Sequence, residues 1–228
     1  MDNQDRWCFT WIPSDQGVEG ANRAGLLKRA KWEANSIITA SFLDGDPGVQ
    51  QRVKKAAQQW TAPGRANLRI VFQNDPDSLI RISFRYRGSW SVLGTECRNI
   101  TDKSQPTMNY GWLTPGSTDQ EVQQVVLHEF GHALGLIHEH QSPAGGIKWN
   151  RNKVISDLSG PPNNWDLATI EHNMFRPIAK NESNYTSLDP QSIMMYPLPA
   201  NWTMDGFSVG LNTDLSETDK TFIHQQYP

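Results

Sequence analysis

Apolar positions along the chain recur with two periods, and each period marks elements. Val49, Val53, Ala56, Ala57 and Trp60 recur at helical spacing, which predicts an amphipathic helix over 47–60. Asp46 can cap it, and Pro47 suits its first turn. Val122, Val125, Val126, Phe130, Ala133 and Leu134 give a second helix its apolar faces, predicted over about 119–134. Thr118 and Glu121 make a capping box at its start, and so much apolar surface makes it a buried, central helix. The extended runs are shorter. Residues 37–42 are a strand by their β-branched content, 68–72 form a second strand, and 80–84 alternate apolar with polar. Residues 88–100 read as a loop with a turn at Gly94, and 106–111 as a short extended stretch, a candidate edge strand. A strand–helix–strand–strand order predicts an α/β (α+β) domain, a mixed sheet with a crossover helix on one face.

Both flanks are less regular. Pro13, Gly17, Gly20 and Gly25 break residues 1–35, leaving one short helical turn near 26–32. After residue 138 the periodicity fades among Pro143, Gly145, Gly146, Gly160, Pro161 and Pro162. Short helices are expected near 150–158 and 166–175. Ser216 and Asp219 cap a final helix that packs through Phe222, Ile223 and Tyr227. The expected organisation is one domain over 1–228, with an N-terminal lobe of about 1–137, a C-terminal lobe of about 138–228 and a cleft between them.

Composition narrows the function classes. The 228 residues are 37% hydrophobic and 20% charged, an ordinary mixture with enough chain for a sizeable core. A net charge of −3 without a basic run argues against a nucleic-acid partner. No apolar stretch is long enough to span a membrane. The nine tryptophans are scattered, as core and cleft packing would scatter them. Cys8 and Cys97 fit one disulfide or two buried free thiols equally well. A third reading has Cys8 as a thiolate blocking a metal. Asp44 and Asp46 fit a capping turn better than a calcium site. The start, Met1 to Arg6, is polar and acidic with no apolar run behind it. Export would therefore need a removed leader or another route, and a place inside the cell stays open.

The densest chemistry lies in residues 128–138, which hold three of the six histidines. They read His128-Glu129-Phe130-Gly131-His132-Ala133-Leu134-Gly135-Leu136-Ile137-His138. A helix advances about 100° per residue, so His128 and His132 share a face and can reach one metal ion. Gly135 can take the left-handed conformation that ends the helix, letting His138 approach from outside. Three imidazoles and an open position describe one catalytic zinc rather than a structural one. Glu129, beside the metal but off the ligand face, is the candidate general base. His140, His172 and His224 stand at no metal spacing and read as surface or structural.

This extended motif resembles the metzincin clan of zinc endopeptidases. The clan's methionine turn is matched by Ser192-Ile193-Met194-Met195-Tyr196, with Met194 some 56 residues after His138. Glu139 after the third histidine is similar to the astacin family. So are Ile147-Lys148-Trp149-Asn150, more loosely Asn173-Met174-Phe175, and Leu215-Ser216 with Asp219, Ile223 and Tyr227. The match covers the last half of the chain well, and the first half only in element order. The family usually has histidine where Met195 stands, and more cysteines. The resemblance implies that Met194 is an apolar floor beneath the histidines. It implies that Tyr196 ligates zinc in the free enzyme and swings away to hydrogen-bond the transition state. It also implies that Glu139 pairs with a new N-terminus. The expected protein is a monomeric, exported zinc endopeptidase of a divergent microbial branch, which holds a peptide extended along an edge strand and cleaves it with metal-activated water. Two alternatives are a zinc hydrolase for another amide, such as peptidoglycan or a single host target, and a non-catalytic module that keeps zinc for stability.

Overall fold

A computed structural model describes residues 8–11, 26–142, 145–161, 163–176, 183–184 and 186–228. Its strands are β1 (Cys8–Trp11), β2 (Leu26–Leu27), β3 (Ile37–Phe42), β4 (Arg69–Phe72), β5 (Ile80–Ser83), β6 (Ser89–Val92), β7 (Met108–Tyr110) and β8 (Ser183–Asn184). Its helices are α1 (Pro47–Ala57), α2 (Asp119–Ala133), α3 (Arg151–Ser159), α4 (Leu167–Ile170) and α5 (Glu217–Gln226). A π-helical turn, Glu171–Phe175, continues α4. Six strands form one mixed sheet in the order β1-β6-β7-β5-β3-β4. β2 and β8 pair separately, antiparallel.

Sequence and structure agree on the first crossover. Asp46 accepts from Gly48 N at 2.8 Å and Val49 N at 3.1 Å, capping α1 as expected. Val49, Val53, Ala56 and Ala57 face the core, and the helix carries the chain from β3 to its parallel neighbour β4. Asp44 is also committed to protein donors, accepting from Ser83 Oγ at 2.7 Å and Phe84 N at 2.8 Å. Both carboxylates are thus used in tying the loop down, and the capping turn is the reading that holds.

Two expectations are corrected. β7 lies in the interior of the sheet, hydrogen-bonded to β5 on one side and β6 on the other, so 106–111 offers no edge. An extended run shows a strand but not its neighbours. The neighbour itself, β6, falls inside 88–100, which reads as a loop because Ser89-Trp90-Ser91 lacks a β-branched run. β6 runs antiparallel to β7, and its outer edge is taken by β1, paired in parallel from Cys8↔Ser89 to Trp11↔Val92. β5 also departs from its pattern, since its polar positions are as buried as its apolar ones. Arg81 is 1% exposed. Its guanidinium donates to the carbonyls of Gln105, Ser78 and Ile100, which pulls 100–105 over that face. Cys97 is a buried free thiol, pushed up to about 11 by burial. Trp7 and the side chain of Cys8 lie outside the described residues.

α2 is the buried helix its sequence predicts, with both halves of the Thr118–Glu121 capping box formed. Two indoles grip it: Trp60 Nε1 donates to Leu127 O at 2.9 Å, and Trp32 Nε1 to Ala133 O at 2.8 Å. Tyr227, just past α5, donates its hydroxyl to Leu134 O at 2.7 Å. Trp32 thus supplies a donor to a carbonyl that the helix end leaves open, Trp60 adds one to a carbonyl within the helix, and both add apolar bulk. The apolar interior comes in two clusters. One spans the sheet, α1, α2 and α5 and includes Met194. The other gathers α3, α4 and the loops around Leu198 and Trp202, and includes Met195 and Tyr196.

Candidate metal centre

The end of α2 builds half of the site. Gly135 has φ +93°, a left-handed conformation suited to glycine. Its N–H donates to His132 O at 2.8 Å, and Leu136 N–H to Gly131 O at 2.9 Å, the paired bonds of a Schellman ending. This reverses the chain and brings His138 back over the helix. It also aims the Leu136 carbonyl at His132, whose Nδ1 lies 2.8 Å away.

The other half comes from 192–196. His128 Nδ1 lies 2.7 Å from the Ile193 carbonyl. A carbonyl can only accept, so Nδ1 carries the proton in both rings and Nε2 presents a lone pair. Those lone pairs converge. The ligand atoms of His128, His132 and His138 all lie within 4.8 Å of one another. His132 Nε2 and His138 Nε2 are 3.2 Å apart, and His128 Nε2 is buried with no hydrogen-bond partner. The rings are 5%, 0% and 1% exposed. Burial holds His128 down to about 4, and holds His132 and His138 well below the usual histidine range, their histidine neighbours adding to the effect. Three neutral, buried imidazoles with converging acceptor nitrogens fit a divalent cation, and borderline-soft nitrogen ligands suit zinc.

Met194 lies beneath. A Cβ at Gly131 would stand 2.3 Å from Met194 Sδ, so the glycine inside the motif makes room for the sulfur. Tyr196 is 3% exposed and lies against the ligands, its ring centroid 4.2 Å from His138 and 6.1 Å from His128. Glu129 is fully buried. The structure therefore brings together the three histidines, Tyr196 and, through Gly131, Met194, with Glu129 buried beside His128 on α2.

It also places residues that spacing missed. His140 is not a surface residue: it is 6% exposed and donates from Nε2 to Asn173 O at 2.8 Å. It stacks 4.7 Å from Tyr196 and 5.3 Å from His138. Motif spacing could not show this, because the contact comes from the π-helical turn and from Tyr196, both distant in sequence. His172 and His224 are exposed, as expected. Glu139 is directed away from the histidines, its Oε1 accepting from Asp189 N at 3.0 Å. Burial pushes its carboxyl up to about 7, with Asp219 and Asp189 adding. A cavity behind the turn is lined by Glu139, Ser142, Thr186, Ser192, Thr218 and Asp219.

A mixed sheet backed by a two-histidine helix, a glycine turn to a third histidine and a methionine floor together define a metzincin-type zinc metalloprotease. No family model matches the chain. The solved structure of myroilysin is 40% identical with a TM-score of 0.86, covering 89% of this chain and 98% of that one. High choriolytic enzyme 1, a hatching enzyme zinc-protease from Oryzias latipes, shares the fold at 18% identity and a TM-score of 0.59, over 87% of this chain and 94% of that one. Zinc metalloproteinase nas-38 of Caenorhabditis elegans is 22% identical over 94% of this chain, which spans only 27% of that relative's length. The chain belongs to the astacin family of metzincins.

Proposed function

We propose that this chain cleaves internal peptide bonds with His128, His132 and His138 as zinc ligands and Glu129 as general base. The observation that carries the reading is a converging triad in which two of the three rings are locked in one tautomer. Backbone carbonyls hold the outward nitrogens of His128 and His132, so their inward lone pairs, with that of His138, are available to one ion. The ion, when held, supplies Lewis-acid activation of water and of the scissile carbonyl. Glu129 follows His128 on α2. Its carboxylate takes the proton of the attacking water and returns it to the leaving amide nitrogen. Tyr196 would join the ligand set in the free enzyme, and its hydroxyl would donate to the carbonyl oxygen as negative charge develops there. Glu139 receives a newly formed N-terminus. The metal lies where an N-terminal lobe of about 1–137 meets a C-terminal lobe of about 138–228.

An extended peptide would add to β6 by displacing β1, which holds the outer edge of that strand. Export, monomeric state and the choice of peptide rest on the family alone. No helix among the described residues is long and apolar enough to cross a membrane. The deciding experiment digests unfolded protein with wild type and Glu129→Gln, each checked for bound zinc. The variant should keep one zinc and lose at least about 100-fold in cleavage rate. A zinc-loaded variant that cleaves at the wild-type rate would remove Glu129 from the mechanism. Chelator should abolish wild-type cleavage and added zinc restore it.

A further inference from the structure

The turn at 192–194 touches two of the three histidine arms. Its Ile193 carbonyl takes the His128 Nδ1 proton, and its Met194 carbonyl accepts from Glu139 N at 3.0 Å, next to His138. The turn is fixed from its far side by one carboxylate. Asp219 Oδ2 accepts from Ile193 N at 2.8 Å, and Oδ1 from Ser192 Oγ at 2.7 Å. Ser192 Oγ in turn accepts from Met194 N at 3.1 Å. The peptide plane between Ile193 and Met194 is thus held at both ends. Its N–H faces a hydroxyl oriented by Asp219, and its carbonyl faces the ligand ring.

Asp219 lies in the first turn of α5 and is 6% exposed. Its Oδ2 also accepts from Ser216 N at 3.0 Å, the capping bond its sequence position suggests. A cap works at the surface and does not require a buried carboxylate, whose desolvation is costly. The two bonds to the turn are the further use of the charge. A chain of hydrogen bonds ending on a charged acceptor polarises each member, which strengthens the hold on the ring.

We propose that Asp219 is a positioning residue of the metal centre: through Ser192 and the 193–194 peptide it fixes the ring of His128 in the tautomer and orientation that a metal ion needs. The inference rests on the reading that the three histidines hold zinc. Partners one shell out from a metal typically affect affinity by about 10–100-fold.

The test measures zinc release from the full-length holoprotein to a coloured chelator, alongside thermal unfolding. Asp219→Asn places an amide N–H₂ against donors and should release zinc about 10–100-fold faster. Ser216→Ala removes the capping hydroxyl that accepts from Asp219 N and leaves both bonds to the turn. It should lower the unfolding temperature while keeping zinc release within about 2-fold of wild type. If Asp219→Asn does not fold, Ser192→Ala removes the hydroxyl's bond to Asp219 and the one it accepts from Met194 N, leaves Ile193 N on the carboxylate, and should still speed release, by a smaller factor. Wild-type release from a folded Asp219→Asn, or from Ser192→Ala where that variant stands in, would overturn the proposal. So would equally fast release from Ser216→Ala, since the carboxylate would then act only through general stability. A wild-type chain that holds no zinc would remove the metal-centre reading, and this inference with it.

Discussion

Gly131 shows how tightly the site limits single residues. It is the second of the two unassigned positions between His128 and His132, and nothing in the motif's chemistry demands glycine there. The demand comes from Met194, whose sulfur occupies the space of a side chain at 131. Gly131→Ala should therefore lower stability by about 1–3 kcal/mol through overpacking, read by urea unfolding, despite alanine's better helix propensity. The histidines set the response to acid. His128 and His140 are each held near 4 by burial, and His132 and His138 also titrate well below 6.5. The unfolded chain binds protons at these sites from about 6.5 downward while the folded chain does not. Stability of the zinc-free protein should therefore fall as pH drops through 6.5 towards 4. Glu139, raised to about 7, pulls the other way, because its carboxyl holds a proton more readily when folded. Burial also raises the Asp219 carboxyl, which pulls the same way as Glu139; four histidines outweigh these two carboxyls, so the net loss should be on the acid side. Zinc-free protein equally stable at pH 4.5 and pH 7 would contradict this reading.

At the scale of elements, what the sequence makes legible is what short segments decide for themselves. The caps at Asp46 and Thr118, the glycine ending at Gly135 and the period of α1 and α2 are all local, and all are found as read. Pairing between distant segments is not local. β6 is not legible because two of its four residues are buried serines, and 106–111 reads as an edge because its partners lie elsewhere in the chain. Asp219 was legible only as a cap, since its bonds to Ser192 and Ile193 reach 27 and 26 residues back. The sheet order has a testable result. β1 takes the outer edge of β6, so it and an extended peptide compete for the same row of backbone groups. Proline at both Phe9 and Thr10 removes backbone donors whichever of the two faces β6. The doubly substituted chain should cleave a peptide substrate faster than wild type at equal zinc content. An unchanged or slower rate would place the substrate elsewhere.

Across the whole molecule, the site stands where two apolar clusters meet, and the chain crosses between them in one peptide step. Met194 belongs to the cluster beneath the histidines and Met195 to the cluster around Trp202 and Tyr196. Both are nearly inaccessible, at 2% and 3%, whereas Met204 is 72% exposed. Oxidation turns a thioether into a polar sulfoxide, and peroxide reaches exposed sulfur first. A folded preparation treated with mild peroxide should carry the added oxygen on Met204, with Met194 and Met195 intact and cleavage unchanged, as peptide mass spectrometry would show. Oxygen on Met194 in an otherwise folded sample would mean that the two clusters part in solution. The paired methionines then serve as a chemical recorder, marking how often the two halves around the histidines have breathed apart.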